Sequence, residues 1–130
     1  MQKPREEHMR YGKTEIIVCE DKFDLGARAS AAVAATMREL LGHQEEIRMI
    51  LAAGESQITF LDALAKQSGI DWSRVVCFNM DDFWEPNMRE ELTCGYQLRR
   101  QLYDKVLPKS FHLVRFNAPD AALEAIRFDR

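Results

Sequence analysis

The sequence has no run of about 18 apolar residues that could cross a bilayer, and its first residues are polar and charged where a secretory signal would be apolar. Membrane spanning and export by a standard signal are therefore not expected; a cytoplasmic setting is. Cysteines are few, odd in number and far apart, at Cys19, Cys77 and Cys94. That excludes a disulfide frame or a zinc knuckle and suggests reduced, packed thiols. The histidines His8, His43 and His112 are too scattered to make a metal set, so neither a metal nor a cofactor is expected. Long blocks of one charge sign are missing too. With 18 basic and 21 acidic residues the net charge is -3, which gives no electrostatic footprint for nucleic acid. There is no internal repeat and no low-complexity segment.

What is present is organised around Arg74-Val75-Val76-Cys77-Phe78-Asn79-Met80-Asp81-Asp82. A β-branched and aromatic run followed at once by two carboxylates reads as a buried parallel strand with acids at its C-terminal end. Open α/β sheets place their chemistry there. The run 47–51 repeats the plan one unit earlier but ends in a small-residue loop, Ala52-Ala53-Gly54-Glu55-Ser56. One strand end is suited to receive an anion and the other is acidic, so a site between them is expected.

At 130 residues the chain fits one domain. Residues 1–13 read as a polar arm and 14–130 as the domain. Strands are expected at 14–19, 47–52, 75–79 and 111–116, in one four-stranded parallel sheet. Helices are expected on the two faces of the sheet, at 25–41, capped by Asp21 or Asp24, at 57–68, ended by Gly69, and at 94–106, capped by Thr93. A last helix carries Leu123, Ile126 and Phe128, whose apolar positions call for a partner surface. The alternation makes βαβ units with right-handed crossovers.

Each candidate residue has a plain reading beside the chemical one. Gly54 and Ser56 suit a phosphate at a helix start, where backbone N–H groups are unpaired, yet Ser56 also suits a simple helix cap. Glu55 is an awkward neighbour for an anion unless it points away. The spacing is neither that of a Walker loop nor of a dinucleotide fingerprint. Asp81 and Asp82 can hold a metal, receive sugar hydroxyls, or let one act as a general base with its pKa raised by the other. The alternative is a solvated turn with Asp82 capping the segment after it. Trp84 and Phe83 either wall a pocket or cover the core.

Taken in order, the segments "ILAAGESQITFLDAL", "IDWSRVVCFNMDDF", "ELTCGYQLRRQLYDKV" and "FNAPD" resemble the N-terminal half of the glucosamine-6-phosphate deaminase and isomerase family, which includes the 6-phosphogluconolactonases. The resemblance implies a Rossmann-like three-layer α/β/α fold with a mainly parallel sheet, truncated relative to the family. It implies a phosphorylated sugar as ligand, with Gly54, Glu55 and Ser56 receiving the phosphate and Asp81 and Asp82 as the catalytic acids. Asp81 would be the base that moves a proton between C1 and C2. A lactonase-like hydrolase and a non-catalytic sugar-phosphate sensor or assembly domain are the alternatives. The Asp-Gly-His signature of the family has no match here, so the expected partner is a homodimer mate or the missing C-terminal half.

Overall fold

A computed structural model describes residues 7–130; part of the expected arm, residues 1–6, lies outside the described residues. The amino-terminal end departs from the expected arm and first parallel strand. Strand β1 (Glu7–Tyr11) pairs antiparallel with β2 (Thr14–Val18) in a two-stranded sheet of its own. Residues 7–11 are thus part of a hairpin, and 14–18 are not part of the parallel sheet. Tyr11 faces Thr14 across a two-residue turn in which Gly12 has φ 61°, the left-handed first position that a type II′ turn requires. The physical reason for the difference is burial. Parallel strands are covered on both faces, whereas every residue of β2 is exposed.

Helix α1 (Lys22–Leu41) starts at Asp21, whose carboxylate accepts from the Phe23 and Asp24 N–H groups. Asp24 reaches back to accept from Glu20 N at 2.9 Å, so the two aspartates satisfy donors on both sides of the helix start. Gly26, Ser30, Ala34, Met37 and Leu41 recur every three or four residues and form the buried stripe.

The parallel sheet has three strands rather than four, in the order β3 (Ile47–Leu51), β4 (Val75–Asn79), β5 (Ser110–His112). Ile47 pairs with Val75 and Leu51 with Asn79, the expected parallel ladder between the two central strands. Helix α2 (Ile58–Ala65) joins β3 to β4. Helix α3 (Cys94–Leu98), a π-helical turn (Arg99–Tyr103) and α4 (Asp104–Val106) join β4 to β5. Both crossovers step the same way across the sheet, so right-handedness puts their helices on one face, with α1, and not on the two faces expected. There Ile47, Leu51, Val75 and Cys77 meet Leu61, Leu64, Leu98, Leu102 and Tyr103 in one core with α1. The π turn lets Leu102 and Tyr103, four and five residues beyond Leu98, both be fully buried. Full burial of each such leucine is worth about 1.5–3 kcal/mol. Helix α2 ends at Ala65, earlier than expected, because Arg38 takes the Ser68 carbonyl at 2.7 Å and draws the following loop toward α1.

The second face of the sheet is covered only in part among the described residues: Ile50 is 67% exposed whereas Val76 is buried, and Phe128 of α5 (Ala121–Asp129) lines a cavity of about 480 Å³ with Phe78 and His112. Leu123 and Ile126 of α5 are exposed, so of the three apolar positions that called for a partner surface only Phe128 meets one among the described residues.

One carboxylate holds α5 in place. Glu124 is buried and accepts from Arg115 N and from Arg127 Nε, both at 2.7 Å. The Arg127 guanidinium first, and the Arg115 N–H after it, pull the Glu124 carboxyl down to about 2 from an ordinary 4.5. A depressed acid stabilises the fold above its unfolded value and loses that contribution as pH falls through the folded one. The docking of α5 is therefore expected to loosen between pH 4.5 and about 2. In the Glu124→Gln variant this acid-dependent step should vanish and the α5 amides should exchange faster at neutral pH. Superimposable acid titrations of the two proteins would show that the carboxylate does not hold the helix.

Candidate active site

The two loops singled out in the sequence leave adjacent strands in register. Leu51 and Asn79 are the last ladder pair, and Met80 N donates to Leu51 O at 2.9 Å just beyond it. From there the chain after β3 enters residues 52–57 and the chain after β4 enters the acidic pair. Parallel strands that end together open a crevice at their carboxyl ends.

In the first loop Gly54 has φ 117° and ψ 169°, a backbone region that essentially only glycine visits. A Cβ there would meet nothing within 4 Å, so the glycine serves conformation and not clearance. The turn Glu55–Gln57 follows as a 3₁₀ segment and leads into α2. Ser56 does not cap it: no side chain caps either start, and the Ser56 hydroxyl receives only the Gln57 side-chain amide at 3.4 Å. The Glu55 and Ser56 backbone N–H groups are the first of this helical segment, which leaves them without partners inside it. Glu55 and Ser56 are both exposed.

The second loop separates the two acids. Asp82 Oδ1 accepts from Phe83 N at 2.8 Å and Cys94 N at 2.9 Å, and Oδ2 accepts from Gly95 N at 2.8 Å. It satisfies the first two N–H groups of α3, whose N-cap is Thr93, with its hydroxyl accepting from Tyr96 N. Gly95 leaves room for this approach, since a Cβ there would lie 3.3 Å from Asp82 Oδ2. Asp81 is exposed and has no hydrogen-bond donor among the described residues. Behind the pair, buried Asn79 accepts from the Tyr103 hydroxyl at 3.1 Å. Trp84 donates from Nε1 to Ala118 O at 2.9 Å and lines a cavity of about 360 Å³ with Asp82, whereas Phe83 is 57% exposed.

Two residues that the sequence did not signal belong to this region. Gln97 of α3 grips Gly54, accepting from its N–H at 3.0 Å and donating to its carbonyl at 2.9 Å. Lys22, in the first turn of α1, lines a groove of about 520 Å³ with Leu25, Glu55, Ser56, Ile58 and Thr59. The Lys22 ammonium lies over the Phe23 ring, 5.3 Å from its centroid; Asp81 does not line this groove. The only sequence signal for either residue is polarity next to a helix start.

Two thiols are held in their neutral form. Burial pushes Cys77 up to about 12, and burial together with the Asp82 and Asp81 charges raises Cys94. Among the described residues no three or more histidine, cysteine or carboxylate side chains converge as metal ligands would, and no helix is long and apolar enough to cross a membrane.

Comparison with known proteins places this geometry. Residues 20–128 match the family model described as glucosamine-6-phosphate isomerases/6-phosphogluconolactonase. A 6-phosphogluconolactonase of Pseudomonas aeruginosa is 28% identical over 95 residues, which span 73% of this chain and 39% of that protein. Among solved structures, a 6-phosphogluconolactonase from Plasmodium vivax superposes with a TM-score of 0.75 at 12% identity over 86% of this chain and 40% of its own. One from Thermotoga maritima gives 0.73 at 18% identity over 87% of this chain and 50% of its own. A monomeric glucosamine-6-phosphate deaminase gives 0.70 at 15% identity, over 85% and 46%. At those identities the superpositions speak for the fold, a Rossmann-like α/β arrangement with a parallel sheet. The chain spans half or less of the length of each of these relatives. With the family model covering all but the two ends of the described chain, the protein belongs to the glucosamine-6-phosphate isomerase/6-phosphogluconolactonase family.

Proposed function

We propose that this chain is the part of a sugar-phosphate enzyme that receives the phosphate and presents a proton acceptor, in deaminase and isomerase chemistry. The observation that carries the reading is the in-register ending of β3 and β4, from which the Gly54–Ser56 loop and the acidic pair leave neighbouring strand ends, with no donor to Asp81 among the described residues. In this reading the phosphate lies on the Glu55 and Ser56 N–H groups with the Ser56 hydroxyl and Lys22 beside it, and the Glu55 carboxylate faces away. Asp81 takes the proton that moves between C1 and C2, and Asp82 holds the helix against which the acid is placed. The Asp-Gly-His signature of the family has no match among the residues of this chain, so binding is the activity expected of these residues.

Lactone hydrolysis on a phosphorylated sugar acid is the second reading, favoured by the Pseudomonas aeruginosa lactonase at 28% identity. Both readings share the phosphate site and differ in the sugar. A non-catalytic sensor would bind either sugar without turnover.

Titration of ¹⁵N-labelled protein with glucosamine 6-phosphate and with 6-phosphogluconate separates them. Millimolar affinity, about 4 kcal/mol, is expected for a site built from dipoles, one hydroxyl and one exposed cation. The Gly54 and Ser56 amides should move first. Lys22→Ala and Ser56→Ala should each weaken binding by about threefold to tenfold, and Asp81→Asn should leave it intact. Tighter binding of 6-phosphogluconate would favour the lactonase reading. Saturating sugar phosphate that moves neither loop would sink the phosphate site.

A further inference from the structure

We infer that Gln97 is the positioning residue of the phosphate turn: its side-chain amide fixes the Gly54 peptide groups and so sets where the Glu55 and Ser56 N–H groups point. The inference rests on the reading of this turn as phosphate-receiving, and it adds a residue 43 positions away in the chain.

Gly54 lies beyond the end of β3, so its peptide groups have left the sheet ladder. Glycine at φ 117° has the most freedom to lose, and a loop residue of this kind holds one conformation only where its surroundings impose it. Gln97 imposes it from both sides, accepting from Gly54 N at 3.0 Å and donating to Gly54 O at 2.9 Å. A primary amide both donates and accepts, which lets it stand in for the missing strand neighbour. The same carbonyl accepts from Gln57 N at 3.0 Å, the bond that opens the 3₁₀ turn. Fixing that oxygen therefore orients the turn whose free N–H groups would meet the ligand.

The clamp is itself anchored. Gln97 is half-buried, and its Nε2 also reaches Gln101 Oε1 at 3.3 Å, one helical turn on. The helix carrying it is tied to the other strand end by Asp82, through Cys94 N and Gly95 N. The first turns of α3 thus staple the end of β3 to the end of β4. Gln97 bonds to Gly54 and not to Glu55 or Ser56, so it acts on their N–H groups through the Gly54 peptide groups.

The test uses the 130-residue chain with Gln97→Leu and Gln97→Glu, and inorganic phosphate and glucosamine 6-phosphate as probes. Ligand-free amide exchange reads the clamp directly. In Gln97→Leu the Gly54 amide should exchange on the order of tenfold faster, while the Cys94 and Gly95 amides keep their protection and the melting temperature changes little. Binding of both probes should weaken by about threefold to tenfold. Gln97→Glu provides the control that a merely structural role would not move. As a carboxylate it can still accept from Gly54 N but sets a negative charge against Gly54 O, which loosens the pair and should raise Gly54 exchange at neutral pH; below about pH 4.3 it can also donate, so the exchange rate relative to wild type should fall back at acid pH. Unchanged Gly54 exchange in Gln97→Leu overturns the clamp. Faster exchange with undiminished probe binding overturns the positioning role alone. A wild-type chain that binds neither probe instead overturns the phosphate reading on which the role depends.

Discussion

Replacing Gly26 with alanine is expected to cost the fold about 2–3 kcal/mol, although alanine is the better helix former by about 1 kcal/mol. The reason is a backbone contact. A Cβ at position 26 would lie 2.6 Å from both the carbonyl carbon and the carbonyl oxygen of Thr59, and 2.8 Å from its Cβ. A flexible side chain could swing aside at small cost; the first turn of α2 cannot. Helix α1 would have to lift off, opening the interface that buries Ser30, Ala34 and Met37. The consequence reaches the proposed site, because Thr59 and Ser56 share a groove with Lys22 and Leu25, which precede Gly26 in the same turns of α1. Urea unfolding should show the midpoint fall, and the wild-type response of Ser56 to sugar phosphate should shrink with it. A neutral or stabilising Gly26→Ala would mean that the helices do not approach this closely.

Gly26 also marks the limit of what the sequence could say. The alanine-rich stretch predicts a thin helix suited to close packing, and α1 is that helix, but which small residue touches which backbone is settled only by the crossing of α1 over α2. The strands at 47–51 and 75–79 were legible because apolar runs bounded by turn residues leave little choice. The cap at Thr93, and Asp21 as one of two candidates for α1, were legible because capping is local. The hairpin was missed because 7–11 is polar and its partner is adjacent in the chain, although a glycine at the first position of a two-residue turn was the available signal. The reading of Ser56 as a helix cap failed where Gln97 took over the stabilising role. That bond spans 43 residues and has no trace in local pattern. Lys22 was invisible for the same reason: it comes to the loop through the packing of α1 against α2.

The adjacent acids should behave unlike one another. Replacing Asp82 with alanine is expected to destabilise the chain by about 2–4 kcal/mol, because it strips a charged acceptor from two helical N–H groups at once. Cys94 is half-buried and Gly95 buried, so their donors cannot turn freely to water. Each buried donor left unsatisfied costs about 1–3 kcal/mol, and losing a negative charge at a helix start adds about 0.3–1 kcal/mol. Asp82→Asn should cost about half as much, since one amide oxygen can still accept. Asp81→Asn, at an exposed position with no donor to lose, should leave stability within about 0.5 kcal/mol of wild type. The Cys94 thiol offers a second readout in the same variants. Burial raises it most, then the Asp82 charge, then that of Asp81. Removing Asp82 should therefore bring it down toward the ordinary thiol range and speed its alkylation above neutral pH, with Asp81→Asn showing the smaller effect. Such a split would assign one acid of the pair to holding α3 in place and leave Asp81 as the carboxylate available for a proton. Equal stability losses in the two variants would show instead that the pair acts as a unit, and that the division of labour between cap and base is wrong.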